Sequence, residues 1–138
     1  EAVVLRFPNA VRPWQHVLDC LNGYLCLTDN LLDGKGLGAW NFGPGPERFV
    51  KVGNVVYQTQ DYLGVTNSWV HSPSDLHEAS LLALDSTKAQ KQLGWANILK
   101  YPESIKWTTD WYKAVAKGDP VLDVTRAQIQ DFENRRRA

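Results

Sequence analysis

The sequence predicts a small, helix-rich α/β domain (α+β in isolation), and three observations lead there. Apolar residues recur at helical spacing in several separate windows, most clearly from Val17 to Leu32. The β-branched stretches are short and broken by proline or glycine, so they give a few short strands and no complete sheet. No strand–helix–strand series is visible and no Gly-x-Gly-x-x-Gly follows a strand. The glycines from Gly34 to Gly38 end a helix instead of opening one. At 138 residues the chain has the size of a single domain, and residues 1–138 read as one lobe. With 43% hydrophobic and 22% charged residues it has a globular composition and enough length to bury a core.

Residues 3–7 (Val-Val-Leu-Arg-Phe) read as a strand that Pro8-Asn9 ends. A second extended piece lies at Val11-Arg12-Pro13, because Pro13 keeps Arg12 out of the helical region. A helix then runs from Val17 to Leu32, stopped by Asp33-Gly34. Gly23 inside it costs up to ~1 kcal/mol and marks close packing. Residues 39–42 (Ala-Trp-Asn-Phe) read as a strand, and 43–47 as a turn. Phe49, Val52, Val56 and Leu63 predict a helix over 48–63, weakened by its β-branched content. Residues 68–71 read as a short strand and 72–75 as loop.

Leu81, Leu82 and Leu84 lie in an extended segment; Asp85 or Ser86 then caps a helix that reaches Leu93 and stops at Gly94. Trp95 follows as a buried anchor. Residues 103–117 form a helix with Ile105, Thr108, Trp111, Tyr112 and Val115 near one face and Gly118 as its stop. Thr125 caps a last helix through Ile129 and Phe132, with 134–137 as a solvated, fraying end. Of the six tryptophans, Trp14, Trp40, Trp95 and Trp111 stand at the edges of apolar runs. That position favours core roles over sugar-stacking platforms.

Fifteen basic and fifteen acidic residues cancel. Such balance argues against nucleic acid or an anionic membrane as the main partner. No apolar run approaches the ~20 residues of a bilayer span, and no basic-then-apolar signal segment opens the chain. A chain without Met that starts at Glu1 is expected to have been processed or cut from something longer. Cys20 and Cys26 lack the companions a zinc site needs, and on a helix they face different ways. Two buried or half-buried free thiols fit a reducing cytoplasm.

The stretch Arg6-Phe7-Pro8-Asn9-Ala10-Val11-Arg12-Pro13-Trp14-Gln15-His16-Val17 concentrates the chemistry. Two arginines flank a tight turn before a helix start. A guanidinium there suits a phosphate, and the helix N-terminus adds favourable field. A carboxylate partner inside the protein is the competing role for Arg12, and both stay open on the residues alone. His16, His77 and Glu78 lack metal-ligand spacing. No Gly-x-Ser-x-Gly supports a hydrolytic triad, and no tyrosine has a lysine four residues on.

That stretch, with Leu21-Asn22-Gly23-Tyr24-Leu25-Cys26-Leu27 after it, resembles the C-terminal part of CDP-glucose 4,6-dehydratases. These are extended short-chain dehydrogenase/reductases acting on nucleotide sugars. The likeness continues through 39–44 (Ala-Trp-Asn-Phe-Gly-Pro), His77-Glu78-Ala79, 84–89 (Leu-Asp-Ser-Thr-Lys-Ala) and Leu93-Gly94-Trp95. It ends with 108–112, Gly118-Asp119 and Gln128-Ile129, and so covers nearly the whole chain. The Arg-Pro-Trp-Gln-His-Val string is its most specific part, since sister dehydratases and epimerases carry Asp in place of the Pro. Residues 19–20 read Asp-Cys where the family has Glu-Pro, and 47–64 departs from the family's helix pattern.

The resemblance implies a two-domain parent whose Rossmann domain binds NAD and carries the catalytic residues. This chain is then the substrate-binding lobe, a fragment with no complete Rossmann sheet, no cofactor, no catalytic residue and no metal of its own. By position, Arg12 matches an arginine that contacts the diphosphate. Arg6, Pro8 and Asn9 match the lining of the base pocket, and Asn41, His77 and Glu78 fall nearby. The implied partners are a nucleotide sugar, CDP-glucose, and the missing Rossmann domain. The implied product of the parent is a 4-keto-6-deoxyhexose. The alternatives are a stand-alone nucleotide-sugar or carbohydrate module that forms a homo-oligomer without catalysis, and a fragment of a related NAD-dependent epimerase.

Overall fold

The computed structural model describes residues 2–45, 49–65, 68–73, 75 and 77–137. Four short strands and five helices occur among them: β1 (Val3–Leu5), β2 (Val11–Pro13), α1 (Val17–Leu32), β3 (Phe49–Lys51), α2 (Val52–Leu63), β4 (Trp69–His71), α3 (Thr87–Leu93), α4 (Glu103–Ala116) and α5 (Val121–Arg137). The strands form two separate pairs. β1 runs parallel to β4 with Leu5 opposite His71, and β2 runs antiparallel to β3 with Arg12 opposite Val50. A single parallel bridge joins Val11 to Leu81. This is a small α/β fold without a full sheet, as the sequence predicts. No helix among the described residues is long and apolar enough to cross a membrane.

α1 spans the predicted range. His16 caps it, its Nδ1 accepting from Leu18 N at 3.2 Å. Gly23 is the close approach that its position suggested: a Cβ there would stand 2.5 Å from Cδ1 of Phe42. Phe42, Ala89 and Trp95 form a buried cluster, with Cys26, Leu27, Trp40 and Leu93 packed on it. Asp19, fully buried, pins the chain just beyond that cluster. Its carboxylate accepts from Ile98 N at 2.6 Å and from Leu99 N at 3.2 Å, and its backbone carbonyl accepts from Trp95 Nε1 at 3.3 Å.

Several expectations are corrected. Residues 39–42 form no strand, because side chains take the place of a ladder. Lys88 Nζ donates to Ala39 O at 2.9 Å, and just beyond, Gly43 N donates to Ser86 Oγ at 2.7 Å. The helix expected over 48–63 splits at Lys51–Val52, since Val50 is claimed by β2 and its carbonyl accepts from Trp14 Nε1 at 2.9 Å. α2 starts afterwards, its first donors Val52 N and Gly53 N going to Ala10 O and Pro8 O at 3.0 and 2.9 Å. Part of the expected turn at 43–47, part of the expected loop at 72–75, and the first residue of the expected 48–63 helix lie outside the described residues.

Of the two expected caps, Asp85 supplies the side-chain bond at the start of α3, its Oδ1 accepting from Thr87 N at 2.9 Å, while the Ser86 hydroxyl is spent on Gly43. α5 begins at Val121, four residues before Thr125, because Pro120 O already accepts from Asp123 N and Val124 N. Thr125 instead takes Trp111 Nε1 at 3.0 Å. The arginine end of α5 is solvated, as expected, and is helical through Arg137. Arg135 donates to Glu103 at 2.5 Å and lies over the Trp107 ring at 4.8 Å, and Arg136 pairs with Glu133. Trp95 is buried, whereas Trp14, Trp40 and Trp111 are half-buried.

Candidate functional site

The turn between β1 and β2 is closed by Ala10 N donating to Phe7 O at 3.0 Å. Pro8 sets the bend, and its carbonyl is already occupied by α2. On the other side, the extended segment before α3 runs beside β2, with Val11 N donating to Ser80 O at 2.8 Å and Leu82 N to Val11 O at 3.1 Å. These two segments and the end of β4 border an open, shallow concavity of about 240 Å³. Arg6, Phe7, Pro8, Asn9, Ala10, His71, Glu78 and Ser80 line it.

Four of the seven expected binding residues therefore meet: Arg6, Pro8, Asn9 and Glu78. Asn9 is held by Lys51 Nζ, which donates to its Oδ1 at 3.3 Å. His71 Nε2 lies 3.2 Å from Arg6 O and fixes the backbone beside the exposed Arg6 side chain. Arg12 stands behind this wall. Its Nη2 is ion-paired with Glu78, and its Nη1 donates to its own neighbour Val11 O at 2.7 Å. Arg12 thus reaches the concavity through Glu78. His77 is exposed beside Glu78. Asn41 is not among the lining residues; its Nδ2 donates to Asp85 O at 3.2 Å.

Over 135 residues, 96% of its length, the chain is 34% identical to a CDP-glucose 4,6-dehydratase of Salmonella typhimurium (strain LT2), and it spans 38% of that relative. The fold resembles that of UDP-glucose 4-epimerase from Bifidobacterium longum, solved with NAD+ and UDP. The TM-score is 0.64 and the identity 23%, over 80% of this chain and 35% of the epimerase. The similarity supports a segment of an extended short-chain dehydrogenase/reductase. No protein-family model matches it.

Sequence reasoning missed Phe7, Ala10, His71 and Ser80 as lining residues. Phe7 and Ala10 lie inside the singled-out stretch. His71 and Ser80 join it only through strand pairing, which no local pattern announces. A second hollow of about 290 Å³ opens between His16, Thr108, Trp111 and Gln128 at the start of α1. Burial pushes the His16 imidazole below its ordinary value of 6.5, so at neutral pH it serves α1 as an uncharged acceptor. Both cysteines are half-buried free thiols. Cys26 Sγ donates to Leu93 O at 3.2 Å, and burial, with Asp29 nearby, pushes this thiol up, away from the reactive thiolate. Among the described residues no three His, Cys, Asp or Glu side chains gather as a metal set.

Proposed function

We propose that this chain is the nucleotide-sugar-binding portion of an NAD-dependent sugar-nucleotide 4,6-dehydratase, a lyase that turns CDP-glucose into a 4-keto-6-deoxyhexose. The observation that carries the reading is the meeting of Arg6, Pro8, Asn9 and Glu78 around one concavity, in a chain matched along 96% of its length by a CDP-glucose 4,6-dehydratase. In this role the residues orient the substrate and make no bonds. Arg6 offers a cation to the nucleotide, Phe7 an apolar wall, and Asn9 an amide fixed by Lys51. Arg12 serves the diphosphate only by exchanging Glu78 for it. Asn41 and His77 complete the set as outer contacts of the sugar nucleotide.

NAD, which supplies the hydride transfer, belongs in this reading to a Rossmann domain outside residues 1–138. The residues present do not fit it: the sequence has no Gly-x-Gly-x-x-Gly, and the described strands form two isolated pairs. The two free thiols, one of them pushed up, support a reducing compartment such as the cytoplasm. A second reading, a stand-alone module that forms a homo-oligomer, is favoured by the apolar stripe that α1 leaves exposed at Val17, Leu21, Tyr24, Leu25, Leu31 and Leu32.

Calorimetric titration of the chain with CDP tests the first reading. Binding is expected, weakened by added salt and by Arg6→Ala, with no turnover of CDP-glucose and NAD. Absence of binding, or turnover by this chain alone, overturns it. Sedimentation without nucleotide affinity supports the second reading if the chain runs as a defined oligomer.

A further inference from the structure

We propose that the hollow between α1, α4 and α5 is a second binding site, one that takes a small, uncharged, flat ring carrying an amide carbonyl. It shares no lining residue with the concavity beside β1, and the inference stands apart from the nucleotide reading. The hollow measures about 290 Å³. That is close to the ~300 Å³ at which small-molecule sites begin, and an apolar cavity of ~150 Å³ already takes a benzene. One ring with a polar substituent fits. Trp111 offers it a flat indole, and Val17 and Ile129 add aliphatic surface.

The hydrogen bonds already made fix what the hollow still has to give. His16 is 4% exposed, and its Nδ1 accepts from Leu18 N. The ring is uncharged at neutral pH, so its single proton sits on Nε2. No hydrogen-bond partner for that N–H occurs among the described residues. A buried donor without an acceptor is costly, and a ligand carbonyl relieves that cost. Trp111 Nε1 donates to Thr125 Oγ1 at 3.0 Å, which leaves the Thr125 hydroxyl hydrogen to give. Gln128 Nε2 donates to Trp107 O at 2.7 Å, which leaves its amide oxygen to accept. Among the described residues no charged side chain lines the hollow. An ion entering it would lose hydration without gaining a counter-charge. A carbonyl beside an N–H matches the donors and the acceptor that remain.

Benzamide is the probe, with one ring, an uncharged carbonyl and an N–H. Benzoate and benzylammonium keep the ring and exchange the amide for a negative or a positive charge. Titration of the whole chain, followed at the Trp111 indole N–H and the His16 imidazole in 1H–15N NMR spectra, reads the site directly. Benzamide should bind with a dissociation constant of about 1 mM or lower, as suits a ligand of about nine non-hydrogen atoms. Benzoate and benzylammonium should each bind at least about tenfold more weakly. Ile129→Trp, a change at an exposed position, should fill the hollow and abolish binding. His16→Asn keeps an acceptor for the α1 cap and withdraws the ring N–H, so affinity should fall about three- to tenfold. Added CDP should leave benzamide affinity unchanged. No binding of benzamide, equal affinity for the three probes, or undiminished binding by Ile129→Trp overturns the inference. Competition by CDP overturns it as well, because the ring then sits in the concavity beside β1. So does an unchanged affinity in a folded His16→Asn. If His16→Asn does not fold, the three probes and Ile129→Trp decide the matter by themselves.

Discussion

Trp95 is 2% exposed, meets Phe42 edge to face at 5.2 Å, and spends its indole N–H on Asp19. Trp95→Ala should cost about 3–5 kcal/mol, read from denaturant unfolding, because the cavity cannot collapse around so large a loss. Gly23→Ala sets two effects against each other. Helix propensity favours alanine by up to ~1 kcal/mol. The new methyl, however, would sit 2.5 Å from Cδ1 and 2.6 Å from Cγ of Phe42. Overpacking of this kind costs about 1–3 kcal/mol, so a net loss of stability is expected. An unchanged or higher Tm for Gly23→Ala would show that Phe42 moves aside freely. His16 gives the pH dependence. Its imidazole titrates below 6.5 in the fold, so the unfolded chain takes up its proton first. Stability should be complete above about pH 6.5 and decline as the pH falls below it, until the folded ring is protonated too. Thermal melting between pH 7.5 and 5 measures this, and His16→Asn, which keeps a capping acceptor, should flatten that decline.

The helices were readable wherever the signal was local. α1 and α4 follow their apolar spacing, and left-handed glycines end α2 and α3 at Gly64 and Gly94 with φ of +70° and +67°. The elements that departed from expectation did so through distant partners. Residues 39–42 look like a strand, yet Lys88 occupies a backbone group there, and Ser86 holds the next one at Gly43. The polar end of α5 looks like a frayed tail, yet Arg135 finds Glu103 and the Trp107 face across the helix pair. Both carboxylate and guanidinium are substantially exposed, so Arg135→Ala should cost no more than about 1 kcal/mol, and less in high salt. Faster amide exchange confined to the last turn of α5 is the expected readout. Exchange as fast in the unmodified chain would mean that the pair does not hold this end.

Across the whole molecule, the surface is as informative as the core. The buried cluster is small, and large apolar side chains lie on the outside of α1, Leu32 at 82% exposure among them. Such a continuous apolar face in water favours association. Light scattering should rise steeply with concentration for the unmodified chain. Leu25→Lys with Leu32→Lys should suppress that rise and leave the Tm nearly unchanged, since neither side chain is packed. A chain that stays monomeric at high concentration would show that this face is harmless alone. The concavity beside β1 has a different origin. Its arginine and asparagine were legible because one unbroken stretch carries them, and the likeness of that stretch to nucleotide-sugar dehydratases pointed to their chemistry.

The sequence by itself determined the helix-rich class, the run of α1, the close packing at Gly23, the buried Trp95 and the family likeness. Each of these is written in spacing, composition or a contiguous string, which neighbouring residues enforce on one another. Only the tertiary structure decided that His71 and Ser80 share a wall with Arg6, that residues 39–42 stay irregular, and that Arg12 faces Glu78. Those outcomes depend on groups 43 to 69 residues apart competing for the same donors and acceptors, and no local pattern records which one wins.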